Sequence, residues 1–411
     1  MTPVLTSERV TADLLIDRAR LSEVLGREVH ACRLRFKPFL STTAVLAVDG
    51  GSAVPHWIQV SHDAHGHKVV NAVRRAVERG QRVEVRHVDG LTVALGALDT
   101  DPRLQRGLDV LRTCHPSVAG ALAVGELEVL RYNPRRRLVL RRRLPGDECE
   151  AVRVTAHKQH GLRRALAALS AAGVPVVEPL PRESGPTSRR VTVSPWFGRG
   201  DLAQLARRTD PGDATAAAGA AGAALARLHG SRALRTTLTD PALTLSTLVT
   251  DLTALDPDAA HRMGELAGRT AARIAAGHWP VGSVHGDFSA DQVLVGGRGE
   301  DPVRLIDFDR AGRGALLSDL GSFVADELVG ISRASTSPDP ADLETLPLTA
   351  ALLSGYAARP GAVAVPPDGF GLRTWVARAL LTRATEPFRS ADPDWLAAIH
   401  RRLDQVEEVL R

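Results

Sequence analysis

With 411 residues the chain is too long for one small domain and predicts two or three units, each with a core of its own. Its 44% hydrophobic and 24% charged residues suit a globular protein, and three scattered cysteines (Cys32, Cys114, Cys149) exclude a disulfide frame or a zinc site and fit a reducing compartment. The net charge of +5 rests almost wholly on arginine, since Lys37, Lys68 and Lys158 are the only lysines, and aromatics at 4% are too few for the base-stacking surface of a nucleic-acid binder.

The opening MTPVLTSERVTADLL lacks a basic flank before a long apolar run, so no signal peptide is expected. No stretch reaches the roughly 18 apolar residues of a membrane span, and a cytoplasmic protein is the expectation. Residues 1–120 are read as the first unit. Within it Leu34-Arg35-Phe36-Lys37-Pro38 is echoed by Leu130-Arg131-Tyr132-Asn133-Pro134 further on. A β-rich stretch follows each, Thr43 to Val48 and Leu138 to Leu140. Then Trp57-Ile58-Gln59-Val60-Ser61 is echoed by Ala151-Val152-Arg153-Val154-Thr155, and each is followed by a helical pattern, Ala64 to Arg79 and Ala156 to Ala171. The strand–strand–strand–helix order at near-constant offset predicts an internal repeat.

The second copy, residues 121–194, opens with the hairpin LEVLRYNPRRRLVLRR, whose tip carries Arg135, Arg136 and Arg137. Its helix, HKQHGLRRALAALSAA, holds no Asp or Glu. A strand at Val191-Thr192-Val193 leads into the linker Ser194-Pro195-Trp196-Phe197-Gly198. Residues 195–411 read as mainly helical. The Ala-rich run from Ala214 to Leu228, broken by Gly219 and Gly222, predicts a buried helix that ends near His229.

The stretch from Val284 to Asp319 carries the chemistry. His285-Gly286-Asp287 opens a loop that closes at Gln292. Strands at Val293-Leu294-Val295 and Val303-Arg304-Leu305-Ile306 flank the turn Gly296-Gly297-Arg298-Gly299. In such a hairpin the residue entering the first strand faces the one leaving the second, which predicts Gln292 beside Asp307, with Asp287 at the same end. A carboxylate to orient an attacking hydroxyl, and a carboxylate and an amide oxygen to hold Mg2+, are the parts that phosphoryl transfer needs.

H-G-D-x-x-x-x-Q followed by a hydrophobic residue and D-x-D resembles the catalytic and metal loops of the aminoglycoside phosphotransferase and choline kinase group, apart from Gln292, where that family usually has asparagine. The resemblance covers roughly residues 121–390 and implies an α+β, bilobal protein kinase-like fold with a small antiparallel β-lobe (121–194) and a larger helical lobe (195–411), to which the internal repeat adds an N-terminal α+β domain (1–120) resembling the small lobe. By the same resemblance Asp287 is the catalytic carboxylate, and Asp307 with Gln292 binds the metal. Asp309 matches the second acid of the metal loop. Asp319 matches a structural aspartate, although Ser318-Asp319 also reads as a helix N-cap. Arg153 stands where a lysine usually grips the nucleotide phosphates, without the helix glutamate that such a cation pairs with. Ser194 and Trp196 fall at the hinge that contacts the adenine. Arg135 to Arg137 either reach the phosphates or form a solvated tip. Asp326, Glu327, Asp342 and Glu344 are available to a cationic acceptor. The implied activity is an ATP- or GTP-dependent, Mg2+-requiring O-phosphotransferase acting on a small hydroxyl compound such as an aminoglycoside or another amino or sugar alcohol. A Ser/Thr peptide kinase and a nucleotide-binding pseudokinase scaffold are the alternatives, and oligomeric state is not legible.

Overall fold

The computed structural model describes residues 9–48, 55–65, 67–123, 125–146, 148–181, 189–208, 211–297, 301–333, 340–360 and 369–411. The N-terminal unit begins with helices α1 (Val10–Ile16) and α2 (Arg18–Leu25) and continues through strands β1 (Val29–Lys37), β2 (Ser41–Val48) and β3 (His56–His62). Helix α3 (His67–Val77) precedes the hairpin β4 (Val83–Val88) and β5 (Leu91–Ala97), which turns on Asp89 and Gly90. Both turn residues have positive φ, 50° and 74°, the backbone a two-residue hairpin demands. The sheet is antiparallel in the order β1-β2-β3-β5-β4. Helices α4 (Gln105–Cys114) and α5 (Pro116–Ala123) follow, so α5 runs across the boundary expected at residue 120.

The second sheet holds β6 (Leu127–Asn133), β7 (Arg137–Arg143), β8 (Cys149–Thr155) and β9 (Val191–Pro195) in that order, with helix α6 (Leu162–Ala171) between β8 and β9. The helix is shorter than the sequence pattern suggests: it starts only after Gly161, whose φ of +80° breaks the backbone. The two sheets do not have separate cores. Trp57, Leu104, Leu108 and Leu111 pack in one buried cluster with Leu138, Leu140, Val152 and Val193. Gly107 permits this, because a Cβ there would lie 2.5 Å from a Val154 methyl as α4 crosses β8. The other face of the N-terminal sheet joins the helical lobe. Phe36 stands edge-on to Phe388 with ring centres 6.0 Å apart, and the Arg9 guanidinium lies 5.7 Å from the Trp395 ring.

The helical lobe comprises α7 (Leu202–Arg208), α8 (Pro211–Gly230), α9 (Pro241–Thr253) and α10 (Pro257–Ala276). Next come β10 (Val281–Val284), β11 (Val293–Val295), β12 (Val303–Leu305) and β13 (Gly312–Ala315). Helices α11 (Leu317–Arg333), α12 (Pro347–Ala357), α13 (Phe370–Thr382), α14 (Glu386–Arg389) and α15 (Trp395–Val409) complete it. The Ala- and Gly-rich composition of α8 is explained by its partner. A Cβ on Gly222 would lie 2.0 Å from the Leu352 carbonyl oxygen, and one on Gly355 would lie 1.9 Å from that of Gly219, so α8 and α12 touch backbone to backbone. Among the described residues no helix is long and apolar enough to cross a membrane. Arg298 and Gly299 of the expected β11–β12 turn lie outside the described residues.

Candidate active site

Strand β10 delivers His285-Gly286-Asp287 onto a buried carboxylate. Asp319, in the first turn of α11, accepts hydrogen bonds from the backbone N–H of His285 (2.7 Å) and of Gly286 (2.9 Å). His229, at the end of α8, brings Nε2 to 3.1 Å from the same carboxylate, and its Nδ1 lies 2.8 Å from the Tyr356 hydroxyl. Burial and then the Asp319 charge push the Tyr356 pKa up to about 12, so the hydroxyl stays protonated and donates to Nδ1. The Asp319 carboxylate can only accept, so His229 Nε2–H is the donor to it. Asp319 thus ties the loop to two helices, rather than simply capping its own. Gly286 has a φ of +81°, and a Cβ there would lie 2.2 Å from the Arg310 carbonyl oxygen.

That close approach joins the loop to the segment after β12. The His285 imidazole donates from Nε2 to the Ile306 carbonyl (2.8 Å) and packs on Phe308 with ring centres 4.8 Å apart. Asp287, with 45% of its side chain exposed, pairs with Arg310 at 3.3 Å. Asp287 and Asp307 therefore sit on two loops in direct contact. Asp307 itself has φ 65° and ψ 47°, a left-handed conformation that few non-glycine residues adopt and that ends the strand abruptly.

The hairpin register differs from the expectation. Val293 pairs with Leu305, and the Ile306 N–H donates to the Gln292 carbonyl (3.0 Å), so Ile306 lies across from Gln292. Continuing the ladder by one step would set Asp291 against Asp307, but a 3-10 turn over Ala290–Gln292 ends the pairing there. Gln292 is buried, and its amide nitrogen donates to Asp291 (3.1 Å), which turns the amide oxygen to the other side.

Two arginines from the small sheet reach down to the aspartates. Arg137 Nη1 contacts both Asp307 oxygens at 2.8 and 2.7 Å. Arg153 pairs with Asp309 and lies 3.5 Å from Asp307. Burial works to raise the Asp307 pKa, but the charges of Arg137 and then Arg153 outweigh it and hold the carboxyl below its ordinary range. The missing helix acid is thus replaced: Arg153 finds its carboxylate in Asp309 of the D-x-D loop. Arg137 is first in β7 rather than part of a solvated tip, and strand alternation from the arginine run could have indicated it.

At the hinge, Ser194 pairs with Ala151 across β8 and β9. The Trp196 backbone N–H donates to the Cys149 carbonyl (2.9 Å) and its indole N–H to the Gly198 carbonyl (3.0 Å). Both donors are spent within the protein, so Trp196 has none to give an adenine. Of the four acids offered to a cationic acceptor, Glu327 instead caps α12 by accepting from the N–H of Leu348 and of Thr349. Asp326 accepts from the Ala290 N–H at 3.3 Å, and burial raises its pKa. Glu344 is exposed, and the side chain of Asp342 lies outside the described residues.

A small antiparallel sheet over a helical lobe, with the D-x-D loop between them, is a kinase-like α+β architecture. Residues 124–361 match the model of the phosphotransferase enzyme family, APH, which is more than half of the chain, and the chain belongs to that family. It is an enzyme that transfers phosphate to a hydroxyl group of a small molecule. The fold is similar to that of a choline/ethanolamine kinase family protein from Mesorhizobium loti, at 20% identity and a TM-score of 0.50 over 75% of this chain and 95% of that one. It is also similar to that of an amicoumacin kinase in complex with AMP-PNP, Ca2+ and Ami, at 12% identity and a TM-score of 0.51 over 72% of this chain and 94% of that one. Among curated proteins none matches the chain.

Proposed function

We propose that the enzyme is an ATP- or GTP-dependent, Mg2+-requiring O-phosphotransferase of the cytoplasm, acting on a hydroxyl of a small molecule. The observation that carries this reading is the contact between the Asp287 loop and the Asp307 loop through His285, Ile306 and Arg310. The amicoumacin kinase neighbour is described with AMP-PNP, which makes ATP the first donor to test.

The donor set fits a magnesium-bound nucleotide. Among the described residues no three His, Cys, Asp or Glu side chains gather into a cage. Magnesium needs none, since it commonly takes one or two carboxylates, phosphate oxygens and water. Asp307 and the Gln292 amide oxygen would hold it, with Asp309 alongside. Bound there, the metal would neutralise charge on the phosphate oxygens. Arg137 and Arg153, now paired with Asp307 and Asp309, are within reach of those oxygens and would exchange carboxylate for phosphate as partner. Ser194 and the backbone around Trp196 would line the purine. Asp287 would orient the acceptor hydroxyl and take its proton at a carboxylate oxygen as the new O–P bond forms. Its attachment to buried Asp319 through Gly286 keeps it at a fixed height. We read the N-terminal unit as an accessory repeat of the small lobe, since both run three antiparallel strands and then a helix.

Asp287→Asn tests the reading. Phosphate transfer across a panel of aminoglycosides, other amino or sugar alcohols, and Ser/Thr peptides as controls should fall at least about a hundredfold, with AMP-PNP affinity kept. Substantial remaining transfer would show that Asp287 is not the group that accepts the hydroxyl proton.

A further inference from the structure

Four arginines gather beside the Asp287 loop with no carboxylate paired to any of them among the described residues. Arg35 lies in β1, Arg103 in the link into α4, Arg136 in the turn between β6 and β7, and Arg389 at the end of α14. Two contacts bring these distant segments together. The Phe36–Phe388 ring contact brings β1 beside α14, where Arg35 and Arg389 are the adjacent residues in sequence. Buried Asp101 accepts from the backbone N–H of Arg103 (2.9 Å) and of Arg135 (2.6 Å), which fastens the Arg103 segment to the hairpin turn. The Tyr132 hydroxyl donates to the same carboxylate at 2.9 Å.

The result is a concentration of like charge. Burial, and then the charges of Arg136, Arg103, Arg135 and Arg389, lower the Arg35 pKa. Arg136 is lowered in the same way by burial and by Arg310, Arg137 and Arg389, against a smaller opposing pull from Asp309. All four residues are exposed, and none forms a salt bridge among the described residues. Arg262 in the helical lobe, by contrast, is matched by Asp404 and Glu407. Neighbouring guanidinium groups without carboxylate partners repel one another, and an anion between them relieves that repulsion.

The position of the cluster says which anion. Arg137 and Arg153 already serve the Asp307 side, where the donor phosphates would lie. Arg35 and Arg103 belong to the N-terminal unit and Arg389 to the helical lobe, outside the small sheet that covers the nucleotide. The cluster continues through Arg310, which touches Asp287. We propose that Arg35, Arg103, Arg136 and Arg389 bind a phosphate group carried by the acceptor, whose hydroxyl then meets Asp287, so that the substrate is a phosphorylated small molecule. The guanidinium fork matches phosphate oxygens in pairs, and the same charge field disfavours a polycationic aminoglycoside. In the reaction the acceptor oxygen bonds to the terminal phosphorus of the nucleotide as the bond to the bridging oxygen breaks. The hydroxyl proton passes to Asp287, the nucleoside diphosphate leaves, and the product carries one phosphate more than the substrate. On this account the N-terminal unit contributes two of the four phosphate ligands.

The inference rests on the phosphotransferase reading for its chemistry but has its own test. Inorganic phosphate is titrated calorimetrically into full-length protein saturated with Mg2+ and AMP-PNP, at low ionic strength. The wild type should bind it, and Arg35→Gln/Arg389→Gln should bind it at least about tenfold more weakly, with an unchanged thermal melt. Arg103→Gln/Arg136→Gln should show the same loss, and Asp287→Asn none. No binding by the wild type, or binding by both double variants as tight as that of the wild type, overturns the proposal. So does a parallel loss of AMP-PNP affinity, which would assign the arginines to the donor nucleotide. If AMP-PNP itself fails to bind, the phosphotransferase reading falls, and the same phosphate titration on the free protein still decides whether the anion site exists.

Discussion

Replacing Asp319 by Asn tests how the Asp287 loop is held. The carboxylate is fully buried and accepts on one oxygen from the His285 N–H and His229 Nε2, and on the other from the Gly286 N–H. Asparagine keeps the shape and one acceptor oxygen. The better amide orientation keeps the two bonds from His285 and His229, so the new NH2 confronts the Gly286 N–H. Hydrogen bonds to charged acceptors contribute about 1.5–3 kcal/mol, and an unpaired buried donor costs about 1–3 kcal/mol. A loss of about 2–4 kcal/mol follows, within the 5–15 kcal/mol typical of a folded domain, so the variant still folds. Urea unfolding read by tryptophan fluorescence reports it, because Trp279 and Trp375 pack 6.0 Å apart in the same lobe. Turnover should fall as well, since Gly286 precedes Asp287. A destabilisation below about 1 kcal/mol with normal turnover would refute the anchoring role of Asp319.

Gly286→Ala would force a Cβ to within 2.2 Å of the Arg310 carbonyl oxygen at a φ of +81°. It should cost about 1–3 kcal/mol and most of the activity, and a fully active Ala variant contradicts the close approach. Asp307→Asn bears on pH. Its folded pKa is depressed, so the carboxylate contributes stability that is present above the unfolded pKa of about 3.9 and is lost as pH falls through the folded value. In metal-free buffer the stability gap between wild type and Asp307→Asn should be level above about pH 5 and narrow below about pH 4. A gap that widens on acidification contradicts the Arg137 and Arg153 pairing.

Much of this was legible from residues 284–319, because the H-G-D loop, the hairpin and the D-x-D are adjacent in sequence and turn chemistry fixes them locally. The register lies one residue from the expected one because Val293 pairs with Leu305, an offset that strand alternation does not reveal. The partners of Asp307 and Asp309 were not legible, since Arg137 and Arg153 lie more than 150 residues away. The absent helix acid is made good from outside the helix, since Arg153 pairs with Asp309. The Asp89-Gly90 turn is itself a hairpin signal in the sequence, because its backbone takes positive φ at both residues. The sharing of one core by the N-terminal sheet and the small lobe depends on Gly107 meeting Val154, a contact no periodicity announces.

The most direct test is a magnesium titration of AMP-PNP binding in wild type, Asp287→Asn and Asp307→Ala. The account predicts that Mg2+ tightens nucleotide binding at least about tenfold in the wild type and in Asp287→Asn, and that Asp307→Ala loses this gain. Nucleotide affinity that ignores magnesium, or a gain that survives in Asp307→Ala, would contradict it.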